Sequence, residues 1–193
     1  MTHFDISQSM IDKAKELAKE AGVEENITFV KGALEDLSAF VDKSFDLVMS
    51  FDAPISYTYP NQETVIGELV RLAKKKIIVS VTSRLGVLPY RANPIQKNQF
   101  ILNPEDSDGF VQWCITYTFL PEELKGILER FGVRNVELAG PGAFARTVPN
   151  EILVKIMNDE KQRREFLEVC HVYDSNPYVC GMGKDNLFAK GNL

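Results

Sequence analysis

Residues 2–30, THFDISQSMIDKAKELAKEAGVEENITFV, contain the pattern that decides the fold. A short extended stretch ends on Asp5, and Ser7 follows as a predicted helix N-cap. Apolar side chains then recur at helical spacing up to Gly22, which is suited to end a helix. These side chains are Met10, Ile11, Ala14, Leu17, Ala18 and Ala21. A second strand is predicted over 27–30, so the segment predicts a strand–helix–strand unit.

The same alternation continues along the chain. Residues 45–51, FDLVMSF, form a short apolar run typical of a strand buried on both faces. A helix is predicted over 61–73 and another buried strand over 76–81. Strands that alternate with helices through short connections indicate a parallel sheet with right-handed crossovers.

The character of the sequence changes after Gly86. Residues 88–108 are rich in Pro, Asn and Gln, and we predict an irregular or helical insertion there. The pattern then predicts, in order, an extended segment over 111–119, a helix over 121–131, a strand over 134–139, one or two helices over 149–172 and a last strand over 186–190. We predict one domain over 1–193, with a first half (1–85), an insertion or lid (86–118) and a second half (119–193).

Composition excludes several classes of protein. The 193 residues carry a net charge of −5, which argues against a basic nucleic-acid-binding face. No apolar run approaches the roughly 20 residues of a membrane span. Three cysteines without CxxC spacing indicate reduced thiols, and Cys170, Cys180 and His171 fit no structural zinc pattern. We therefore expect a cytoplasmic protein with no metal, no membrane and no nucleic-acid partner.

Asp5 carries the first chemical signal. An acid at the carboxyl end of a strand, beside a following helix, is where doubly wound folds bind a ribose diol. The alternative is an aspartate that only caps the start of the helix.

Further segments repeat the order of a known family. They are FDISQSM (4–10), GALEDL (32–37), KSFDLV (43–48), ELVRL (68–72) and IIV (77–79), followed by VTSRLG (81–86), FLPEEL (119–124), ELAG (137–140) and GMG (181–183). In this order and spacing the chain resembles the class I S-adenosylmethionine-dependent methyltransferases. The resemblance implies an α/β, three-layer Rossmann-like sheet, mostly parallel with an antiparallel last strand. It also implies methyl transfer from S-adenosyl-L-methionine to a small-molecule acceptor.

The resemblance assigns cofactor-binding residues. Asp5 would bind the ribose hydroxyls, Ile6 and Met10 would pack near ribose and adenine, and Ala33 and Leu34 would lie at the adenine. The family often has an aspartate at the position of Ala33, so adenine recognition is weaker or rearranged here. Ser50 and Phe51 complete the cofactor-binding set, and simple core packing is the alternative role for Met10.

Three residues are candidates for a catalytic base: Asp52, Tyr57 and His171. Ligands of open α/β sheets bind outside the carboxyl ends of the strands, which places Asp52, Ser56 and Tyr57 between cofactor and acceptor. The alternative is a loop in which Asp52 is a solvated turn residue. A base is needed only if the acceptor must lose a proton. Five further residues are expected to form either a lid over the acceptor or an aromatic core beneath the insertion. They are Arg84, Tyr90, Trp113, Tyr117 and Phe119.

The family's first strand, glycine-rich loop and first helix have no counterpart before Asp5. The sequence GPGAFA (140–145) fits a G-x-G-x-x-A pattern, but Pro141 removes a backbone donor and no helix start follows. We therefore expect an N-terminally shortened chain that lacks the usual first strand and helix. Exposed sheet edges would then favour homo-oligomers. Such a chain should bind cofactor weakly, and micromolar binding would contradict this expectation. A binding module descended from an enzyme and a nicotinamide-dependent oxidoreductase are the alternatives.

Overall fold

A computed structural model describes residues 1–87, 92–96, 99–102, 116–183 and 186–193. The chain divides into two compact units, Met1–Val41 and Asp42–Leu193. No helix within these described ranges is both long and apolar enough to cross a membrane.

The first unit is a strand–helix–strand unit, as the sequence predicts. Strand β1 (Thr2–Asp5) pairs in parallel with β2 (Thr28–Lys31), and helix α1 (Gln8–Glu20) connects them. Ser7 caps α1, because its hydroxyl accepts a hydrogen bond from the Met10 amide. Gly22 follows the helix with a φ of 67°, the left-handed conformation predicted for it.

The second unit contains a four-stranded sheet with the strand order β3 (Phe45–Ser50), β4 (Ala73–Thr82), β9 (Asn186–Asn192) and β8 (Arg134–Ala139). Strands β3 and β4 are parallel, with Val48 beside Ile77. The last strand, β9, is antiparallel to β4 and to β8. Strands β3, β4 and β8 therefore share one direction, and the prediction of an α/β fold with an antiparallel last strand is confirmed.

The core of this unit lies between the sheet and two helices. Helix α2 (Gln62–Leu72) buries Val65, Ile66 and Leu69, and α4 (Pro121–Arg130) buries Leu124 and Leu128. Full burial stabilises each such side chain by roughly 1.5–3 kcal/mol. The remaining helices are α3 (Arg84–Val87), α5 (Asn150–Asn158) and α6 (Glu160–Asp174).

The predicted irregular or helical insertion is wrong where the structure describes it. Residues 92–102 contain β5 (Ala92–Gln96) and β6 (Gln99–Leu102), which pair antiparallel, and β7 (Thr116–Tyr117) extends this second sheet. Strand β5 tolerates Pro94 because it lies at the edge of its sheet. Tyr90 and Trp113, two of the predicted lid residues, lie outside the described residues.

Candidate functional site

Asp5 ends β1 and holds the turn into α1. One carboxylate oxygen, Oδ1, accepts a 2.7 Å hydrogen bond from the amide of Ser7. The other oxygen has no hydrogen bond or ion pair to any residue that the structure describes. One oxygen of Asp5 therefore caps the start of α1, while the other can still accept a hydrogen bond from a ligand. The two roles considered for Asp5, helix capping and ribose binding, are compatible.

The other candidates of the first unit differ in exposure. Ile6 is 68% exposed and Met10 is 58% exposed, so core packing is not the role of Met10. Ala33 and Leu34 are half-buried in the turn after β2. The nearby carboxylate of Asp36 is already used: it accepts hydrogen bonds from the Ser38 hydroxyl and amide, which lower its pKa. Glu35 is the exposed carboxylate left beside Ala33.

The segment after β3, residues 51–61, is here called the Asp52 loop. Asp52 and Ala53 both have left-handed backbones, with φ values of 67° and 55°. This conformation costs roughly 1–2 kcal/mol per residue for L-amino acids, and aspartate tolerates it better than alanine. Two consecutive left-handed residues therefore have to be held in place by their surroundings.

Two buried serines hold the Asp52 loop against β4. The Ala53 amide donates to the Ser80 hydroxyl at 3.1 Å, and the Thr82 amide donates to the Ser56 hydroxyl at 2.8 Å. Both serines are fully buried. In the first bond a loop amide donates to a side chain of the strand, and in the second a strand amide donates to a side chain of the loop. They fix the loop at the carboxyl end of the sheet.

Ser50 and Phe51, the cofactor candidates of the second unit, lie at the end of β3. Ser50 is buried, and its hydroxyl oxygen has no hydrogen-bond partner in the described part of the chain. A buried hydroxyl without a partner is costly unless a bound group satisfies it. Phe51 is half exposed and its ring lies 6.1 Å from that of Phe188 on β9.

The tyrosines beside the Asp52 loop form an aromatic set. Tyr57 and Tyr59 are exposed at the loop surface, and the Tyr59 ring stacks on buried Tyr117 at 6.1 Å and 12°. The Tyr117 ring also meets Phe119 edge-on at 4.8 Å. Tyr117 and Phe119, predicted as lid or core, are both buried, so these two members belong to the core.

Arg84, also among the lid candidates, is a half-buried structural ion. Its guanidinium bonds the Glu123 carboxylate at 2.7 Å and the Thr118 carbonyl at 2.6 Å. The same carboxylate accepts a hydrogen bond from the Tyr117 hydroxyl and another from the Leu120 amide. Sequence analysis missed Glu123 and Ser80, and the signal for Glu123 is an acid at the third position of a helix that begins with proline. Ser56, expected between cofactor and acceptor, is instead fully buried against β4.

His171 lies apart from the Asp52 loop. It occupies the last turn of α6 and is exposed on the face that also presents Leu167 and Arg164. The opposite side of α6 packs on the segment 140–147 through Phe166 and Tyr173, whose rings contact Phe144. The structure therefore brings Asp52 and Tyr57 together in one loop and places His171 on a separate helix.

The segment 140–147 is here called the Gly140 loop. The backbone amides of this glycine-rich loop bind a carboxylate from the same chain. The Asp174 side chain accepts hydrogen bonds from the amides of Gly142 at 3.0 Å and Phe144 at 3.4 Å. A Cβ on Gly140 would lie only 1.7 Å from the carbonyl oxygen of Cys180. The amides that a phosphate would need are therefore used internally, which agrees with the prediction that this loop is not the cofactor loop.

Comparison with known proteins supports the resemblance. Residues 1–76 match a family model described as a methyltransferase domain. A search of curated proteins finds no match. Among solved structures, the PH0226 protein of Pyrococcus horikoshii is 25% identical, with a TM-score of 0.55 over 67% of this chain. The chain spans 61% of the length of that protein.

Two further structures share the fold over the whole chain. An S-adenosylmethionine-dependent methyltransferase from Mesorhizobium loti is 15% identical, with a TM-score of 0.59 over 100% of this chain and 79% of its own. Phosphoethanolamine N-methyltransferase 2 from Haemonchus contortus, in complex with S-adenosyl-L-methionine, is 16% identical with a TM-score of 0.55, over 99% of this chain and 42% of its own. Residues 1–76 are thus similar in sequence to a methyltransferase domain, and the chain as a whole shares the fold of these methyltransferases.

Proposed function

We propose that the protein transfers a methyl group from S-adenosyl-L-methionine to a small-molecule acceptor. The observation that carries this proposal is the half-used carboxylate of Asp5 within the residues that match the methyltransferase model. A cofactor supplies the electrophilic methyl group, and the protein contributes orientation and exclusion of water.

The residues present fit the adenosine part of the cofactor. The second carboxylate oxygen of Asp5 is open to a ribose hydroxyl, and its position is fixed by the bond from the Ser7 amide. Ile6, which follows Asp5, and Met10, in the first turn of α1, offer exposed apolar side chains. In the second unit, buried Ser50 has a hydroxyl without a hydrogen-bond partner among the described residues, and Phe51 has a half-exposed ring. Both observations support the proposal that these two residues contact the cofactor.

The residues of the Asp52 loop are proposed to face the acceptor. Asp52 and Tyr57 are the candidates to take a proton from an acceptor that must lose one. His171 is a weaker candidate because the described packing of α6 involves α5 and the Gly140 loop rather than the Asp52 loop. A cytoplasmic location and assembly through exposed sheet edges remain proposals from the sequence.

The proposal is tested by binding of S-adenosylhomocysteine to the full chain and two matched variants. Saturation-transfer NMR suits this test because it detects even millimolar binding. Asp5→Asn removes the charge that accepts the ribose hydroxyls, so we expect at least a tenfold loss of affinity, or about 1.4 kcal/mol. Asp12→Asn changes an exposed aspartate of α1 that accepts a 2.9 Å hydrogen bond from the Gln8 side chain, and this variant should bind like the unmodified chain. Equal binding by all three proteins would contradict the role of Asp5.

A further inference from the structure

We propose that two copies of this chain form a weak dimer in which helix α1 of each copy packs on an open face of strands β3 and β4 of the other. This inference concerns assembly and does not rest on the proposed methyl transfer. Two exposed surfaces carry it: an apolar sheet face with an unpaired lysine, and an apolar helix surface with an unpaired glutamate.

The first surface is one face of the parallel strands β3 and β4. Leu47 is 42% exposed and Met49 is 50% exposed, whereas Val48 between them is buried. In the register of the two strands, exposed Lys76 lies beside Leu47 and half-buried Ile78 lies beside Met49. Side chains alternate between the two faces of a strand, so Leu47, Met49, Lys76 and Ile78 share one face, here called the Leu47 face.

The two faces of these strands differ in how they are covered. The opposite face carries Val48, Ile77 and Val79, which are buried beneath helix α2. A parallel pair of strands is normally covered on both faces. The exposed leucine and methionine of the Leu47 face gain free energy when a second apolar surface removes them from water.

The second surface lies on helix α1. The helix buries Ile11 and Ala18, and it packs on β1 and β2. Leu17 is 52% exposed, and exposed Glu20 and Ala21 follow it three and four positions later. Residues at these spacings are neighbours on a helix surface, so the three form one patch, here called the Leu17 surface. Helix α1 is therefore apolar on one more side than its own unit uses.

The charges of the two surfaces are complementary. Lys76 and Glu20 each make no hydrogen bond or ion pair with any residue that the structure describes. Each charge lies next to an exposed leucine, Lys76 beside Leu47 and Glu20 beside Leu17. Packing of the two leucines against each other therefore brings the two opposite charges together. Such complementarity favours this pair of surfaces over pairings that would place like charges together.

A second copy of the chain is the occupant that these surfaces select. Every copy carries both a Leu17 surface and a Leu47 face, so two copies related by a twofold axis make both contacts at once. Each contact involves few residues compared with the roughly 800 Å² per partner of a stable interface. The dimer is therefore weak and forms at high chain concentration.

Sedimentation velocity of the full chain at low salt, over roughly 10–500 µM, tests the proposal. We expect the unmodified chain to show a monomer–dimer equilibrium in this range. Lys76→Glu alone, or Glu20→Lys alone, places like charges at both contacts and should raise the dissociation constant of the dimer about tenfold. Lys155→Glu is the matched control, because it changes an exposed lysine of α5 and alters the net charge as Lys76→Glu does. This control should dimerise like the unmodified chain.

An equal mixture of Lys76→Glu and Glu20→Lys chains separates contact between copies from contact within one copy. In a mixed dimer one contact keeps the natural charges and the other has both charges reversed, so the mixture should dimerise like the unmodified chain. A monomer at every concentration, or a dimer that both single variants leave unchanged, as pairing through sheet edges would give, would overturn the inference. So would an equal loss in Lys155→Glu, or a mixture that dimerises no better than either variant alone.

Discussion

The Asp52 loop and the Gly140 loop both follow strands of the same sheet, yet their polar groups are used in opposite ways. In the Gly140 loop, the amides of Gly142 and Phe144 donate hydrogen bonds to the carboxylate of Asp174. Neither these amides nor this carboxylate is therefore available to a ligand. In the Asp52 loop, buried serines secure the backbone and the carboxylate of Asp52 has no described partner. A glycine-rich pattern or an aspartate therefore indicates a ligand site only when its hydrogen bonds are left open.

The largest effect that separates the two loops is expected at Gly140. A Cβ there meets backbone atoms of Cys180, which cannot move aside as a side chain would. Gly140→Ala should therefore destabilise the protein by about 3 kcal/mol or more. Chemical denaturation followed by circular dichroism measures the loss.

Gly126 provides the control for that substitution. It lies within α4 with open space around it, so Gly126→Ala should stabilise the protein by about 0.5–1 kcal/mol. If Gly140→Ala were as stable as Gly126→Ala, the close packing of the Gly140 loop would be disproved.

The same substitution at two aspartates gives the next largest difference. Asp174→Asn places an amide group where two backbone N–H groups need an acceptor, and should cost about 1–3 kcal/mol of unfolding free energy. Asp52→Asn removes no described hydrogen bond and should change stability by less than about 0.5 kcal/mol. Comparable losses in the two variants would contradict the distinction between an occupied and an open carboxylate.

Much of this fold could be predicted from the sequence, because hydrophobic spacing and capping residues are local. The Asp5–Ser7 turn, Gly22 and the alternation of strands and helices up to β4 are examples. The strands β5 and β6 were missed because Pro94 and the polar residues around it suppress the strand pattern, and only pairing with a neighbour stabilises them.

The candidate site was only partly predictable. Asp5 and Asp52 follow predicted strands, so their positions at strand ends could be expected. The Ser56–Thr82 and Ser80–Ala53 bonds join residues 26 and 27 positions apart, and no local pattern indicates such contacts. The hydrogen bond from the Gly142 amide to Asp174 joins residues 32 positions apart, so it could not be predicted from a local pattern either.

A smaller effect concerns Ser56 and Thr147, one hydroxyl from each loop. Ser56→Ala leaves the buried Thr82 amide without its partner, and should cost about 1–2 kcal/mol. Thr147 donates to the Phe144 carbonyl at an exposed position, so Thr147→Ala should cost under about 0.5 kcal/mol. Denaturation midpoints of the two variants measure the difference, and a larger loss at Thr147 would reverse the assignment.

The smallest effect is a difference in reactivity at Cys180, whose carbonyl packs against Gly140. Burial raises the pKa of the Cys180 thiol, so it stays protonated in the native protein at pH values where an exposed thiol ionises. Iodoacetamide should therefore modify Cys180 much more slowly in the native than in the urea-unfolded protein, as measured by mass spectrometry. Because the folded pKa is raised, this group's contribution to stability declines as pH rises above the ordinary thiol pKa. Equal alkylation rates would show that this part of the Gly140 loop packing opens readily.

Amide chemical-shift mapping with S-adenosylhomocysteine tests the central claim most directly. The claim is that the half-used Asp5 turn, and not the glycine-patterned Gly140 loop, contacts the cofactor. We predict that titration into the ¹⁵N-labelled full chain shifts the amides of Ile6 and Ser7 and leaves those of Gly142 and Phe144 unchanged. Shifts at Gly142 and Phe144 without any at Ile6 and Ser7 would contradict the account.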